Sequence, residues 1–549
     1  MRSSRTDAKR PASARSESNG LFAAWLRARL HFDAARKSPR AYLNAVWSRL
    51  LGKRLRAKGR FAPLIGASPL AYQAWLLTEA PARTSDTSKV SIVALVDGTP
   101  GHDAIAETLD SLAREGIAAV VIGSPEIPDL AAAVRAYVWN ANAWVMPLVA
   151  GDILAPGAAG AYRHTVAEAA SRPRLIYADD DLWTAASRRD APHFKPDWNA
   201  ELFRHFDYLT GACILRASID SLLGASGPDW PARLVAATID LDDATPVHLR
   251  HVLHHRRIRP SPCIPAAVRS LAASEELPSV SVIVPTRNRV ALLRTCLDGL
   301  AATDYPNMDV IVVDNDSDDA ETLAYLAALD TARYRVERVA GPFNFSTLNN
   351  RAAAIASGTL LCLLNNDIEV IASDWLETLA RQAMRRDVGA VGARLLYPNG
   401  RIQHAGVVLG VGGGAGHAHR MLDPEEEGYF RRHALPQFVS AVTAACLVVQ
   451  AERFAAVGRL DEVKFPVSFN DVDLCMRLNA RGWQSLYEPR ATLVHHESVS
   501  RGFDRDEVGA ERLAREIAAL QAAWGTESAT DPFHHPELNR FSERFTVRL

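Results

Sequence analysis

At 549 residues, 48 % apolar and with a formal net charge of −1, the chain is too long for one ordinary core and too evenly charged for a nucleic-acid binder; two or three domains of roughly 100–200 residues are expected. No stretch approaches the ~20 uninterrupted apolar residues that cross a bilayer, and the opening MRSSRTDAKRPASARSESNG is basic and hydroxyl-rich with no apolar core behind it, so it does not make a secretory signal. The expected compartment is the cytoplasm, and the six cysteines, scattered without C-x-x-C spacing, read as buried reduced thiols rather than disulfides or zinc ligands.

From Arg27 to Arg60 arginine and lysine recur with Asp33 as the sole acid, and Trp25, Leu26, Leu30, Leu43, Trp47 and Leu50 fall among them at helical spacing. Two readings stand. This is an amphipathic helix pair on anionic lipid, at the inner face of the plasma membrane, or a solvated helical extension packed on the next domain.

SIVALVDG, from Ser91, reads as a strand, and WVMPLVAGDILAPGA, from Trp144, as another that ends near Asp152. IYADDDL holds Asp179, Asp180 and Asp181, which read as a solvated turn before a cation site. FKPDWNAEL and YLTGACILRAS follow.

From Val280 the pattern becomes strand, helix, strand, helix, the signature of a parallel sheet with helices on its faces. VSVIVPT ends at Thr286 and MDVIVVDNDS carries Asp314, Asn315 and Ser317 at its end. The helix through LNNRAAAIAS contains Asn350, and LLCLLNNDIEV breaks its apolar run on Asn365, Asn366 and Asp367. Ligands of such sheets gather beyond the carboxyl ends of the strands, where Thr286, Asp314 and Asp367 fall. One aspartate with two flanking amides suits a hard cation shared with a diphosphate. Asp314 suits a base or ribose, although DNDSDD is also a good turn and helix start.

The pattern has an internal echo. WVMPLVAGDILAPGA has the shape of LCLLNNDIEVIASDW, with Asp152 in the place of Asp367, and YLTGACILRAS resembles AVTAACLVVQAE, in the same order. A duplicated domain is the economical explanation.

Further on, FNDVDLCMRLNARGW reads as a helix opening on Asn470 or Asp471 and closing near Gly482. Asp471 and Asp473 are both satisfied there by capping and by the helix dipole. LVHHESVSRG sets His495 and His496 just after a strand, with Ser498, Ser500 and Arg501 able to bond phosphate. GGGAGHAHR offers His417 and His419 on a glycine-rich loop, and no Gly-Lys-Ser/Thr makes it a P-loop. A nicotinamide oxidoreductase is not supported, since no G-x-G-x-x-G follows the first strand of either half.

Taken in order, VSVIVPTRN, VIVVDNDS, FNFSTLNNRAAAIASGTLLCLLNNDIEV, AACLVVQAERFAAVGRLDE, FNDVDLCMRLNARGW and HHESVSRG resemble a family 2 glycosyltransferase with the GT-A fold, and the earlier half resembles the first domain of tandem members associated with surface polysaccharide synthesis. The resemblance implies an α/β protein: a basic helical extension (1–85), a degenerate GT-A-like domain (86–272), a catalytic GT-A domain (278–525), both with mixed, mainly parallel sheets, and a tail (526–549). Pro285, Thr286 and Asn288 would line the nucleotide pocket with Asp314 on the base, and Asn315, Ser317, Asn350, Asn365 and Asn366 would join them in holding the donor. Asp367, last of the triplet that stands at the family's Asp-x-Asp motif, would hold Mn²⁺ or Mg²⁺ with His495, for which His496 is the rival. Asp471 matches the general base.

The implied reaction is inverting transfer of a sugar from a nucleoside diphosphate to a glycan or lipid-linked acceptor. Its rivals are two active domains, or a nucleotide-sugar-binding protein without turnover.

Overall fold

The structure is a computed structural model that describes residues 12–84, 90–99, 104–137, 143–169, 173–184, 188–240, 245–265, 276–496 and 507–549. Its first sheet has eight strands: β1 (Ile92–Asp97), β2 (Ala118–Ile122), β3 (Trp144–Val149), β4 (Ile153–Leu154), β5 (Leu175–Trp183), β6 (Arg189–His193), β7 (Cys213–Leu215) and β8 (Val247–Arg256). They lie in the order β2-β1-β3-β7-β5-β8-β4, with β6 against β5.

The second sheet draws on β9 (Val280–Thr286), β10 (Met308–Asp314), β11 (Tyr334–Arg338), β12 (Leu360–Leu364), β13 (Ile368–Val370), β14 (Val388–Leu396) and β15 (Ile402–His404). After a hairpin of β16 (Val407–Leu409) and β17 (Ala415–His417) it is completed by β18 (Gln437–Val439), β19 (Cys446–Gln450) and β20 (Gln484–His495). Its order is β11-β10-β9-β12-β19-β14-β20-β13, with β15 on β14 and β18 on β20.

Set β1 on β9 and β3 on β12, and the first order becomes the second without β11; even β6 on β5 finds its match in β15 on β14. The sense of pairing repeats too. β5 and β8 are parallel, as are β14 and β20, while β3 with β7 and β12 with β19 are antiparallel. The echo in the sequence is therefore an echo of topology. Both sheets are mixed, and the strand–helix alternation accounts for the parallel run from β11 to β12.

Alternation along β9 explains the second core: Val280, Val282 and Val284 join one apolar layer and Ile283 the other, so the strand is buried on both faces. The helix Val290–Ala301 that follows buries Leu293, Cys296, Leu297 and Leu300, an i, i+3, i+4, i+7 stripe, on the first of these layers.

Helices Ala12–Lys37, Pro39–Leu50 and Arg54–Gly66 form the N-terminal extension and pack through Leu26, Leu30, Ala34 and Ala45. The segment 526–549 packs into the body, with Leu538 fully buried and Glu537 accepting a hydrogen bond from Trp75 Nε1 at 2.7 Å. Asn199 ties the two sheets together: its Nδ2 donates to Phe438 O at 2.9 Å and its Oδ1 accepts from Phe438 N at 3.1 Å. All six cysteines are free, and Cys263 alone is exposed.

Candidate functional site

The triplet Asn365–Asp367 spans the gap between β12, in the middle of the second sheet, and β13, at its edge. Asn365 N–H donates to Ala445 O at 3.0 Å and Ile368 N–H to Asn365 O at 3.3 Å, which closes the turn. Asn366 Nδ2 then reaches Thr286 Oγ1 at 2.9 Å, at the end of β9. Pairing of Ile368 with His495 between β13 and β20 brings the imidazole beside Asp367, Nε2 to Oδ1 3.0 Å. His496 turns the other way, to Glu369 Oε2 at 2.9 Å, so the register chooses between the two histidines.

These groups line one wall of a cleft of about 770 Å³. Val467–Val472 and Thr443–Ala445 line the same cleft, with Asp471 among them. Asp471 does not cap its helix. The cap residue of Asn470–Asn479 is Phe469, held at φ 61° with no side-chain cap, while Asp471 Oδ2 crosses to accept from Ala444 N at 3.0 Å. Asp473 is structural, bonded to Arg477 and to Trp524 Nε1.

Pro285, Thr286, Asn288, Asn365, Asn366, Asp367, Asp471 and His495 thus share one cavity. The remaining candidates lie outside its lining. Asp314 and Ser317 form a local turn, Asp314 Oδ1 accepting from Ser317 N at 3.0 Å, and Ser317 Oγ accepts from Asn288 N at 2.8 Å. Asn315 donates to Val339 O and Gly341 O. Asn350 is committed to Leu460 and Glu462, and so fastens its helix to the loop that leads to Asp471. His419 is buried and packs on Phe545, whereas His417 lines the cleft. Ser498, Ser500 and Arg501 lie outside the described residues.

Gln403 and His404 gave no signal in the sequence. Gln403 Oε1 is 2.8 Å from His495 Nδ1, which places the ring proton on Nδ1 and leaves Nε2 as an acceptor, 3.2 Å from Asn365 Nδ2 and 3.0 Å from Asp367 Oδ1. One carboxylate oxygen and one imidazole nitrogen 3.0 Å apart, with Gln403 fixing the ring, suit a divalent ion. Burial, with His417 and His495 beside it, holds His404 well below the usual histidine value. The neutral ring accepts from Thr443 N at Nε2 and meets His417 Nδ1 at 2.8 Å.

The first sheet treats the same position differently. Ile153 pairs with His255 as Ile368 does with His495, and Asp152 precedes it, buried. Here Arg256 Nε lies 3.9 Å from Asp152 Oδ2 and Nη1 4.0 Å from Asp180 Oδ2. The guanidinium fits against Gly211, the counterpart of Ala444, and a Cβ there would collide with it. Burial pushes Asp152 up to about 6, with Arg256 opposing.

The acids Asp179, Asp180 and Asp181 are not a solvated turn. All three are buried in β5, each met by basic side chains from outside the strand: His248 and His535 on Asp179, Lys195 and Arg259 on Asp180, Arg189 on Asp181. Asp179, His248 and His535 also have metal-ligand spacing. Glu537 N–H occupies His535 Nδ1 at 3.1 Å, so the proton of that ring sits on Nε2, 3.0 Å from Asp179 Oδ2. His248 lies between Asp179 and Asp197, which hold it above its ordinary value against burial. The cluster reads as an ion-paired seam.

Residues 281–409 match the family model described as "Glycosyl transferase family 2". A relative named "Uncharacterized protein y4gI", from Sinorhizobium fredii, is 37 % identical over 409 residues, 66 % of this chain and 45 % of the relative. "O-antigen biosynthesis protein RfbC" of Myxococcus xanthus is 36 % identical over 437 residues, 71 % of this chain and 33 % of the relative. The chain thus spans less than half the length of these two relatives. Among solved structures, the mannosyltransferase PcManGT from Pyrobaculum calidifontis, in complex with GDP-Man and Mn²⁺, is similar at TM-score 0.34 and 18 % identity, over 48 % of this chain and 68 % of that one. Among the described residues no helix is long and apolar enough to cross a membrane.

Proposed function

We propose that the second sheet carries an inverting glycosyltransferase, which moves a sugar from a nucleoside diphosphate to a glycan or lipid-linked acceptor in surface polysaccharide synthesis. One observation carries the reading: Asp367 and His495, 3.0 Å apart, line a single cleft together with Asp471. Asp367 and His495 would hold Mn²⁺ or Mg²⁺, which when bound would neutralise charge on the departing nucleoside diphosphate.

The chain's own groups supply the rest. Thr286 and Asn366, joined by a hydrogen bond, present polar edges to base and ribose beside Pro285. Arg287, Arg289 and Arg512 bring positive charge to the same cleft for the diphosphate. Asp471, steadied by N–H donors of Ala444 and Val472, is the group to take the proton from the attacking acceptor hydroxyl. Inversion follows if that hydroxyl approaches opposite the leaving group.

The first sheet is a degenerate copy in this reading, because Arg256 fills the position where a cation would exchange. The test is a thermal-shift screen of nucleoside diphosphates and their sugars, with and without Mn²⁺, since a ligand that binds only the folded state raises its melting point. A Mn²⁺-dependent shift that Asp367→Ala removes and Asp152→Ala keeps supports it. No shift with any nucleotide sinks it.

A further inference from the structure

The first two N-terminal helices carry two apolar faces each, and only one is used. In Ala12–Lys37 the buried stripe is Leu26, Leu30 and Ala34. On the opposite side, at i, i+4, i+7 and i+11, lie Leu21, Trp25, Ala28 and Phe32, all exposed. The next helix repeats the arrangement: Ala45 and Ser48 are buried, while Leu43, Trp47 and Leu50 form an outward i, i+4, i+7 row. Leu21, Trp25, Phe32, Leu43, Trp47 and Leu50 are each between 54 and 75 % exposed. Scattered surface leucines need no explanation, but two rows of this size do.

The charge around the rows says what covers them. Arg29, Arg36, Lys37, Arg40, Arg49 and Lys53 are exposed on the same helices and the turn that follows them, and Asp33, the one acid between Arg27 and Arg60, is engaged by Arg29 at 3.4 Å and by Ser68 Oγ at 2.9 Å. Tryptophan and leucine on a face bordered by cations suit the boundary between lipid headgroups and acyl chains, where apolar rings enter and guanidinium groups stay among phosphates. The fit is to a surface of negative sign.

We propose that these two rows form a docking face for an anionic bilayer, on which the protein lies without spanning it. Lipid-borne acceptor would then arrive in the plane of the membrane. The docking itself is independent of the transfer reaction, and its test does not read that reaction.

The test is flotation of the full chain in a sucrose gradient with phosphatidylcholine vesicles, alone or mixed with phosphatidylglycerol. Most of the protein is expected to rise with the anionic vesicles and little with the neutral ones, and bound protein is expected to fall as salt rises. Trp25→Glu/Trp47→Glu, both exposed, is expected to stay at the bottom with an unchanged melting temperature. A Lys/Arg-to-Gln variant at Arg36, Arg40 and Arg49 is expected to lose most of its flotation as well. Protein that stays at the bottom with both vesicle types overturns the proposal. So does a double glutamate variant that floats like the parent. A dimer in light scattering that the same variant dissolves, without vesicle binding by the parent, assigns the face to a second copy and also overturns it.

Discussion

His495 Nε2 lies 3.0 Å from Asp367 Oδ1, although the two residues are brought together only by the pairing of β13 with β20. That relationship depends on Gln403, which holds the far side of the ring. Gln403→Leu is expected to weaken Mn²⁺-dependent nucleotide binding by about 10–100-fold, the usual cost of losing the partner that orients a metal-binding histidine. Gln403→Glu keeps an acceptor oxygen and is expected to recover most of it. Titration calorimetry of the nucleotide found by thermal shift, with Mn²⁺ present and absent, checks both.

Asp471 is expected to matter for turnover and not for the donor. Asp471→Asn retains an oxygen for Ala444 N–H but cannot take a proton, so kcat for transfer should fall about 10²–10⁴-fold while nucleotide affinity holds. Transfer rates beside calorimetry on one preparation decide it. Equal loss of both would mark Asp471 as part of the donor pocket.

Asp152 predicts a pH dependence of stability with a definite sign. Burial raises its folded value from 3.8 to about 6, so between these limits the native state binds more protons than the unfolded chain, and this group's contribution falls as pH rises. The change is on the order of 2–3 kcal/mol across that window. Asp152→Asn removes it, so parent minus variant melting temperature should drop from pH 4 to pH 7. A difference that is flat or rises with pH refutes the assignment.

Lys195 and Asp180 are a buried pair at 2.8 Å, and the ammonium is fully enclosed. Lys195→Met leaves Asp180 short of one cation and is expected to cost about 3–5 kcal/mol, read by thermal or urea unfolding. Nucleotide binding at the Asp367 cleft should survive at temperatures where the variant is folded.

Some of this was legible in the chain. Thr286, Asp367, Asp471 and His495 stand where apolar runs stop or helices begin, and local patterning finds such places. Pairing partners far apart in sequence leave no local trace. Asp179–Asp181 looked like a turn because the groups that neutralise them, Lys195, Arg259, His248 and His535, lie elsewhere in the chain. Asn350 looked like a donor-binding amide because Leu460, which consumes it, is 110 residues away. Asp471 looked like a cap because the left-handed backbone at Phe469, which starts the helix one step earlier, has no glycine to announce it. The repeated strand order was readable only as two short echoes, since topology outlasts sequence likeness.

Arg256 is tethered to its backbone, and no wash removes it. EDTA should therefore soften the protein at one end only: amide exchange around Asp367 and His495 would quicken, while the strands bearing Asp152 and His255 would stay as slow as before. If the proposed cation binds at Asp367 and His495, one sheet holds by exchange a charge that the other has made part of its own chain.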